Sequence, residues 1–125
     1  MIIAAVLLGG CGDSSGEGNE PSFASILEQP DDYDGEHVTF EAGYYGAFEV
    51  SVLTSGFAES FPPQPVEPLV WLNGGPTGDC VQREETAVWA ERVRATGTFR
   101  YDPEGGFGHL GAYEMALEDA TVTCL

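Results

Sequence analysis

Lysine is absent from the 125 residues, and four arginines carry the chain's whole permanent positive charge against 21 carboxylates. The resulting net charge of −17 excludes a phosphate-tracking nucleic-acid binder, because such proteins release counterions with clustered Lys and Arg. Attraction to anionic lipid by surface charge is excluded on the same ground. The two histidines cannot build a His-rich metal site, and no GxSxG, Walker-type loop or HExxH occurs. No cofactor is expected. The apolar run Met1 to Leu8 falls far short of the roughly 20 residues that span a bilayer. What the chain does have is 42% hydrophobic residues, enough for the core of one domain.

The first stretch, MIIAAVLLGGC, is apolar and ends in small residues and a cysteine, which fits the apolar region of a secretory signal. Its Leu8-Gly9-Gly10-Cys11 segment resembles the lipobox of bacterial lipoproteins, in which the cysteine becomes the lipidated first residue of the mature chain. Small residues suit a peptidase that must fit extended backbone beside the scissile bond. No Lys or Arg precedes the run, a departure from the positively charged start of such signals. The resemblance implies a signal peptide over 1–10, lipidation at Cys11, and membrane anchorage in the bacterial cell envelope, facing the periplasm or the exterior. Residues 11–21 are Gly, Ser and acid with almost nothing apolar, so they read as a flexible tether. Lipidating Cys11 leaves Cys80 and Cys124 as a pair, and an oxidising compartment favours their disulfide.

The folded domain is expected over 22–125. Ser22 is placed to cap a short helix in which Phe23, Ile26 and Leu27 recur at helical spacing, and Pro30 stops it near Gln29. Asp-Asp-Tyr-Asp-Gly reads as a turn at Gly35. The period then becomes two. Val38, Phe40, Ala42 and Tyr44 predict one half-buried strand, and Phe48, Val50 and Val52 a second, joined by a turn at Tyr45-Gly46. Leu69 to Leu72 follows a proline-rich loop as a third. Arg92 to Tyr101 is a fourth, with Val93, Ala95, Gly97, Phe99 and Tyr101 on one face. The last, Tyr113 to Thr123, changes phase near Glu118-Asp119, which implies a β-bulge. Thr77 to Trp89 reads as either a short helix or an irregular excursion.

Five short strands and one small helix favour a small curved barrel over a two-sheet sandwich. The stretches ILEQPDDYDGEHVTFEAGY and RVRATGTFRYDPEGGFGHLGAY resemble small bacterial OB-fold-like exported domains. The expected class is therefore mainly β, a five-stranded OB-like barrel with a short N-terminal helix. In an OB-fold the helix usually lies between strands three and four, whereas here the helix signal precedes strand one.

Candidate chemistry is sparse. Asp32, Asp34, Gly35 and Glu41 have part of the spacing of a calcium loop, but its first position is Pro30 and a strand follows; a solvated acidic turn is the better reading. His109 lies within Gly105-Gly106-Phe107-Gly108-His109-Leu110-Gly111, where glycines permit close approach of backbone to a ligand and His can act as base or ligand. Phe107 belongs to the same candidate site. Trp71, Trp89 and the tyrosines suit either a stacking surface or a core. Arg92, Arg94 and Arg100 share one face of the fourth strand, either offsetting carboxylates or forming a basic island for an anion. The −17 charge serves solubility or salt adaptation, steers a cationic partner, or gathers divalent cations loosely. The expected function is a non-enzymatic, lipid-anchored envelope binding or structural domain. Its partners would be the membrane, through the lipid, and a cationic protein or peptide, with no nucleic acid. The alternative is a small hydrolase or metal-dependent enzyme using His109.

Overall fold

The computed structural model describes residues 20–125, and its first element opens at a helix cap; the expected signal, Cys11 and residues 11–19 of the expected tether lie outside the described residues. The Ser25 N–H donates to Ser22 Oγ at 3.0 Å, opening α1 (Phe23–Glu28), whose Phe23 and Ile26 are buried. Gln29, before Pro30, leaves helical geometry. The acidic stretch expected as a simple turn first forms a second helical turn, α2 (Pro30–Tyr33), because proline at the first position lacks only an N–H that would have no helical partner. The chain then reverses at Asp34-Gly35. Asp34 Oδ1 accepts the Tyr101 N–H at 2.9 Å, and the Gly35 N–H donates to Phe99 O at 2.7 Å.

The remaining elements are β1 (His37–Ala47), β2 (Val50–Thr54), β3 (Phe57–Ala58), β4 (Gln64–Pro65), β5 (Val70–Leu72), β6 (Gln82–Glu84), β7 (Ala87–Tyr101) and β8 (Met115–Cys124). The main sheet runs β1-β2-β5-β8-β7-β6, and β1 also pairs with β7. That pairing closes five strands into an OB-like barrel. Its ladders are antiparallel except β5 with β8, which is parallel. The small β3–β4 hairpin lies between β2 and β5, with β4 inside the proline-rich loop of residues 61–68. Thr54 holds that loop: its buried hydroxyl accepts the Val66 N–H at 3.1 Å and lies 2.7 Å from Val66 O and 2.8 Å from Gly56 O.

Alternation places Val38, Phe40, Leu53, Val70, Leu72, Val93, Phe99 and Leu117 inside the barrel. Phe23 and Ile26 of α1 join them, and Phe23 stacks on Phe40 with ring centroids 4.8 Å apart. A second buried cluster of Tyr45, Val52, Ala87 and Trp89 lies on the opposite face, with Trp71 and Tyr113 at its edge. It explains why the expected turn at Tyr45-Gly46 is displaced. Tyr45 and Gly46 pair with Val52 and Ser51 within the ladder, so the reversal falls at Phe48-Glu49. Phe48, expected in a strand, is instead 80% exposed at that tip.

The bulge lies where the phase change predicts it. Thr98 faces Glu118 but Thr96 faces Thr121, leaving Asp119 and Ala120 opposite Gly97 alone. A Cβ at Gly97 would meet Glu118 O at 2.7 Å, so only glycine permits this approach. Between β5 and β6 the chain is irregular and then forms the β6–β7 hairpin. Cys80 in this segment is disulfide-bonded to Cys124, with Cα atoms 5.6 Å apart.

Candidate functional site

The loop from Asp102 to Glu114 connects β7 to β8 and is tied mostly to itself. Phe107 and Tyr113 exchange backbone hydrogen bonds of 3.1 and 3.0 Å, and the Gly106 N–H donates to Gly111 O at 2.9 Å. His109–Gly111 forms a single 3-10 turn with Leu110 at φ 58°. Gly108, at φ 74° and ψ −162°, packs its backbone on aromatic rings. A Cβ there would lie 2.6 Å from Trp71 Cδ2 and 2.7 Å from Tyr113 Cδ1. The glycine run thus serves close approach, but to the protein's own rings.

This packing aims His109 at the β1–β2 tip, where its Nε2 lies 2.9 Å from Glu49 Oε1. A cleft of about 380 Å³ opens beside the pair, lined among others by Glu49, Trp71, Asn73, Phe107, His109 and Glu118. Its floor comes from β5 and β8. Trp71 stands between the inward Val70 and Leu72 and therefore faces outward. The indole Nε1–H donates to Asn73 Oδ1 at 3.0 Å, and the Trp71 and Tyr113 ring centroids are 5.2 Å apart at a 46° tilt. Burial, and secondarily the nearby Glu67 carboxylate, push the Tyr113 phenol's pKa above its ordinary value.

The structure brings together His109, Phe107 and Trp71 among the residues singled out from sequence. It sets the arginines apart. Arg92 and Arg94 both reach Glu41, Arg94 Nη2 at 3.2 Å from Oε2, across the β1–β7 pair. Hydrogen bonds from Arg92 and then Arg94 hold the Glu41 carboxyl below its ordinary pKa. Arg100 Nε lies 3.3 Å from Asp34, and its Nη1 3.5 Å from Glu118. The stripe is thus a polar outer face on which guanidinium groups sit beside carboxylates, and the same contacts engage Asp34 of the acidic turn and Glu41 of β1. Trp89 is buried in the second cluster, with Phe61 edge-on to it at 6.0 Å.

Glu49, Asn73 and Glu118 are the site residues that sequence reasoning misses. Glu49 is unreadable because the alternation puts the hairpin reversal three residues too early. Glu118 carries a signal, since the phase change marks a bulge, and bulges re-aim side chains beside functional sites. The cleft can supply an aromatic face, an amide, two carboxylates and an imidazole already held by one of them. No protein-family model, curated protein or solved structure matches the chain. Fold and cleft therefore define its class: a disulfide-bonded OB-like barrel with an acidic, aromatic cleft between two loops.

Proposed function

We propose that this protein is a lipid-anchored, non-enzymatic binding module of the bacterial cell envelope, recognising a cationic partner through the cleft between the β1–β2 tip and the glycine-rich loop. The observation that carries this reading is the convergence of Glu49, Trp71, Asn73 and His109 from three separate segments onto one opening. OB-folds bind ligands on the face of strands two and three and on the loops joining strands one to two and four to five. The β1–β2 tip, β5 and the β7–β8 loop correspond to those places in this barrel. Charge decides the kind of ligand. Among the described residues neither Arg nor Lys lines the cleft, Glu49 and Glu118 do, and the net charge of −17 attracts cations from a distance. A cation over the Trp71 ring would gain from the ring quadrupole as well. The address rests on the lipobox-like Leu8-Gly9-Gly10-Cys11 and the polar tether after it.

Capture from envelope extract tests the reading. The protein should retain a basic partner at low salt and release it at high salt, and Glu49→Gln should weaken retention. Salt-independent capture, or capture of acidic proteins only, refutes it. For the address, mass spectrometry of membrane fractions should find an acylated Cys11; an intact Met1 refutes it.

One observation favours the enzymatic alternative. Glu49 orients His109 as a carboxylate orients a catalytic base. Among the described residues no Ser, Thr or Cys lines the cleft, so such an enzyme would have to activate water directly. Loss of a measured hydrolytic activity in His109→Ala would establish it.

A further inference from the structure

The most exposed large hydrophobic residues of the described chain are Leu110 at 89% and Phe48 at 80%. They are far apart in sequence yet belong to one place. Phe48 immediately precedes Glu49, Leu110 immediately follows His109, and Glu49 and His109 are the pair held at 2.9 Å. The backbone is unusual on both sides of this contact, with Glu49 at φ 60° and Leu110 at φ 58°. Left-handed geometry is costly for branched or bulky residues, and the sequence keeps leucine where glycine or asparagine would suit better. Apolar side chains pushed into water beside a cleft mark an interaction surface.

We propose that Phe48 and Leu110, with the cleft beside them, form a docking edge for a basic protein segment: an Arg or Lys side chain enters against Trp71 toward Glu49 and Glu118, while Phe48 and Leu110 bury apolar residues of the same segment. This rests on the binding reading above and adds to it the kind of partner and the residues that select it. Charge complementarity argues for the occupant. Among the described residues the cleft offers carboxylates and no Arg or Lys. Arg92, Arg94 and Arg100 are each held beside a carboxylate on the β7 face. Of these three only Arg100 reaches a cleft residue, Glu118 at 3.5 Å, whereas Glu49 is held by His109 and by none of the three. A bilayer surface is the weaker fit, because a chain of charge −17 is repelled by anionic lipid. With apolar anchors flanking an acidic cleft, charge sets the encounter and the anchors set residence time.

Four synthetic probes of equal length separate these terms, each a capped octapeptide alternating Leu with Arg, Ser with Arg, Leu with Glu, or Leu with Ser. Titration into the purified protein, followed by NMR shifts of the Trp71 indole, should give the order Leu/Arg tightest, Ser/Arg weaker and Leu/Glu silent. The double variant Phe48→Ser, Leu110→Asn changes only exposed side chains and places a residue tolerant of positive φ at 110, so folding should be retained. It should weaken Leu/Arg binding about tenfold while leaving Ser/Arg unchanged; Glu49→Gln should weaken both. Equal Leu/Arg affinity in the double variant and the parent overturns the docking edge but leaves the cationic cleft standing. Loss of all Arg-peptide binding at Trp71 overturns both readings. Preferred binding of Leu/Ser, or binding of phosphatidylcholine vesicles that depends on Phe48 and Leu110, overturns the choice of a basic protein segment.

Discussion

Replacing Gly108 by alanine tests whether the glycine-rich loop is built as described. Two costs are separable. The backbone at φ 74° and ψ −162° lies where essentially only glycine is found, and holding another residue there costs about 1–3 kcal/mol. The new methyl would also overlap Trp71 and Tyr113, with closest approaches of 2.6 and 2.7 Å. Neither ring is free to step aside. Trp71 is paired on both sides, to Val52 and Ala116, and bonded through its indole to Asn73; Tyr113 is bridged to Phe107. Overpacking of this kind adds about 1–3 kcal/mol.

Gly106→Ala is the internal control. Gly106 also has positive φ, at 114°, but a methyl there would meet nothing within 4 Å, so it isolates the backbone cost. Urea unfolding followed by circular dichroism should shift both midpoints downward, Gly108→Ala by about 1–3 kcal/mol more than Gly106→Ala, the overpacking contribution alone. Gly108→Ala should also expose the Trp71 indole to quenchers, since the loop can relieve the overlap only by lifting from the ring. That lift would part His109 from Glu49 and abolish the cleft. Equal midpoint shifts, with Trp71 no more accessible, refute the packing of the loop on the tryptophan.

Reduction of the Cys80–Cys124 bond, which closes a loop of sequence separation 44, should destabilise the fold by up to about 4 kcal/mol on the chain-entropy argument; an unchanged melting temperature under reductant contradicts it. Thr54→Val keeps shape but removes the hydroxyl that holds Val66 and Gly56. It should cost about 1–3 kcal/mol, with faster amide exchange in the proline-rich loop as the local sign. Glu41 has a folded-state pKa below the ordinary 4.5 because Arg92 and Arg94 bond its ionised form. Its stabilising contribution is therefore complete above that ordinary value and is lost as pH falls through the lowered one. Glu41→Gln should thus narrow the stability gap to the parent in acid titration, and a gap independent of pH there refutes the assignment.

Legibility from sequence follows the number of surfaces each strand buries. Arg92 to Tyr101 is readable because its odd residues enter one core while its even residues meet water and Glu41. The bulge is legible for the same reason, as a change of phase between two clean alternations. The end of β1 is not. Tyr44 and Tyr45 are both buried, one in each cluster, and two-sided burial erases the period that locates a turn. The unread site residue Glu49 follows from that single displacement, since a hairpin reversal three residues away puts it on a different element. Pairing of β5 with β8, which builds the cleft floor, links segments more than forty residues apart and leaves no local trace.

The position of the helix follows from what a closed barrel requires. Five strands enclose space that only side chains fill, and an open end would leave rings such as Phe40 facing water. An OB-fold usually closes that end with a helix between its third and fourth strands. Here the corresponding segment is irregular up to β6, and α1 supplies the closure from before β1, with Ile26 fully buried and Phe23 stacked on Phe40. Closure depends on an apolar side chain reaching the opening, and burial energy is indifferent to its place in the sequence. Relieved of that role, the segment after β5 is available for other contacts. Its first residue, Asn73, accepts the Trp71 indole N–H at the cleft, and Cys80 anchors the end of β8 through Cys124. The displaced helix thus leaves the chain beyond β5 to orient Trp71 at one end and hold the C-terminal strand at the other, and β8 carries both the floor of the cleft and the bulge beside Glu118 at its wall.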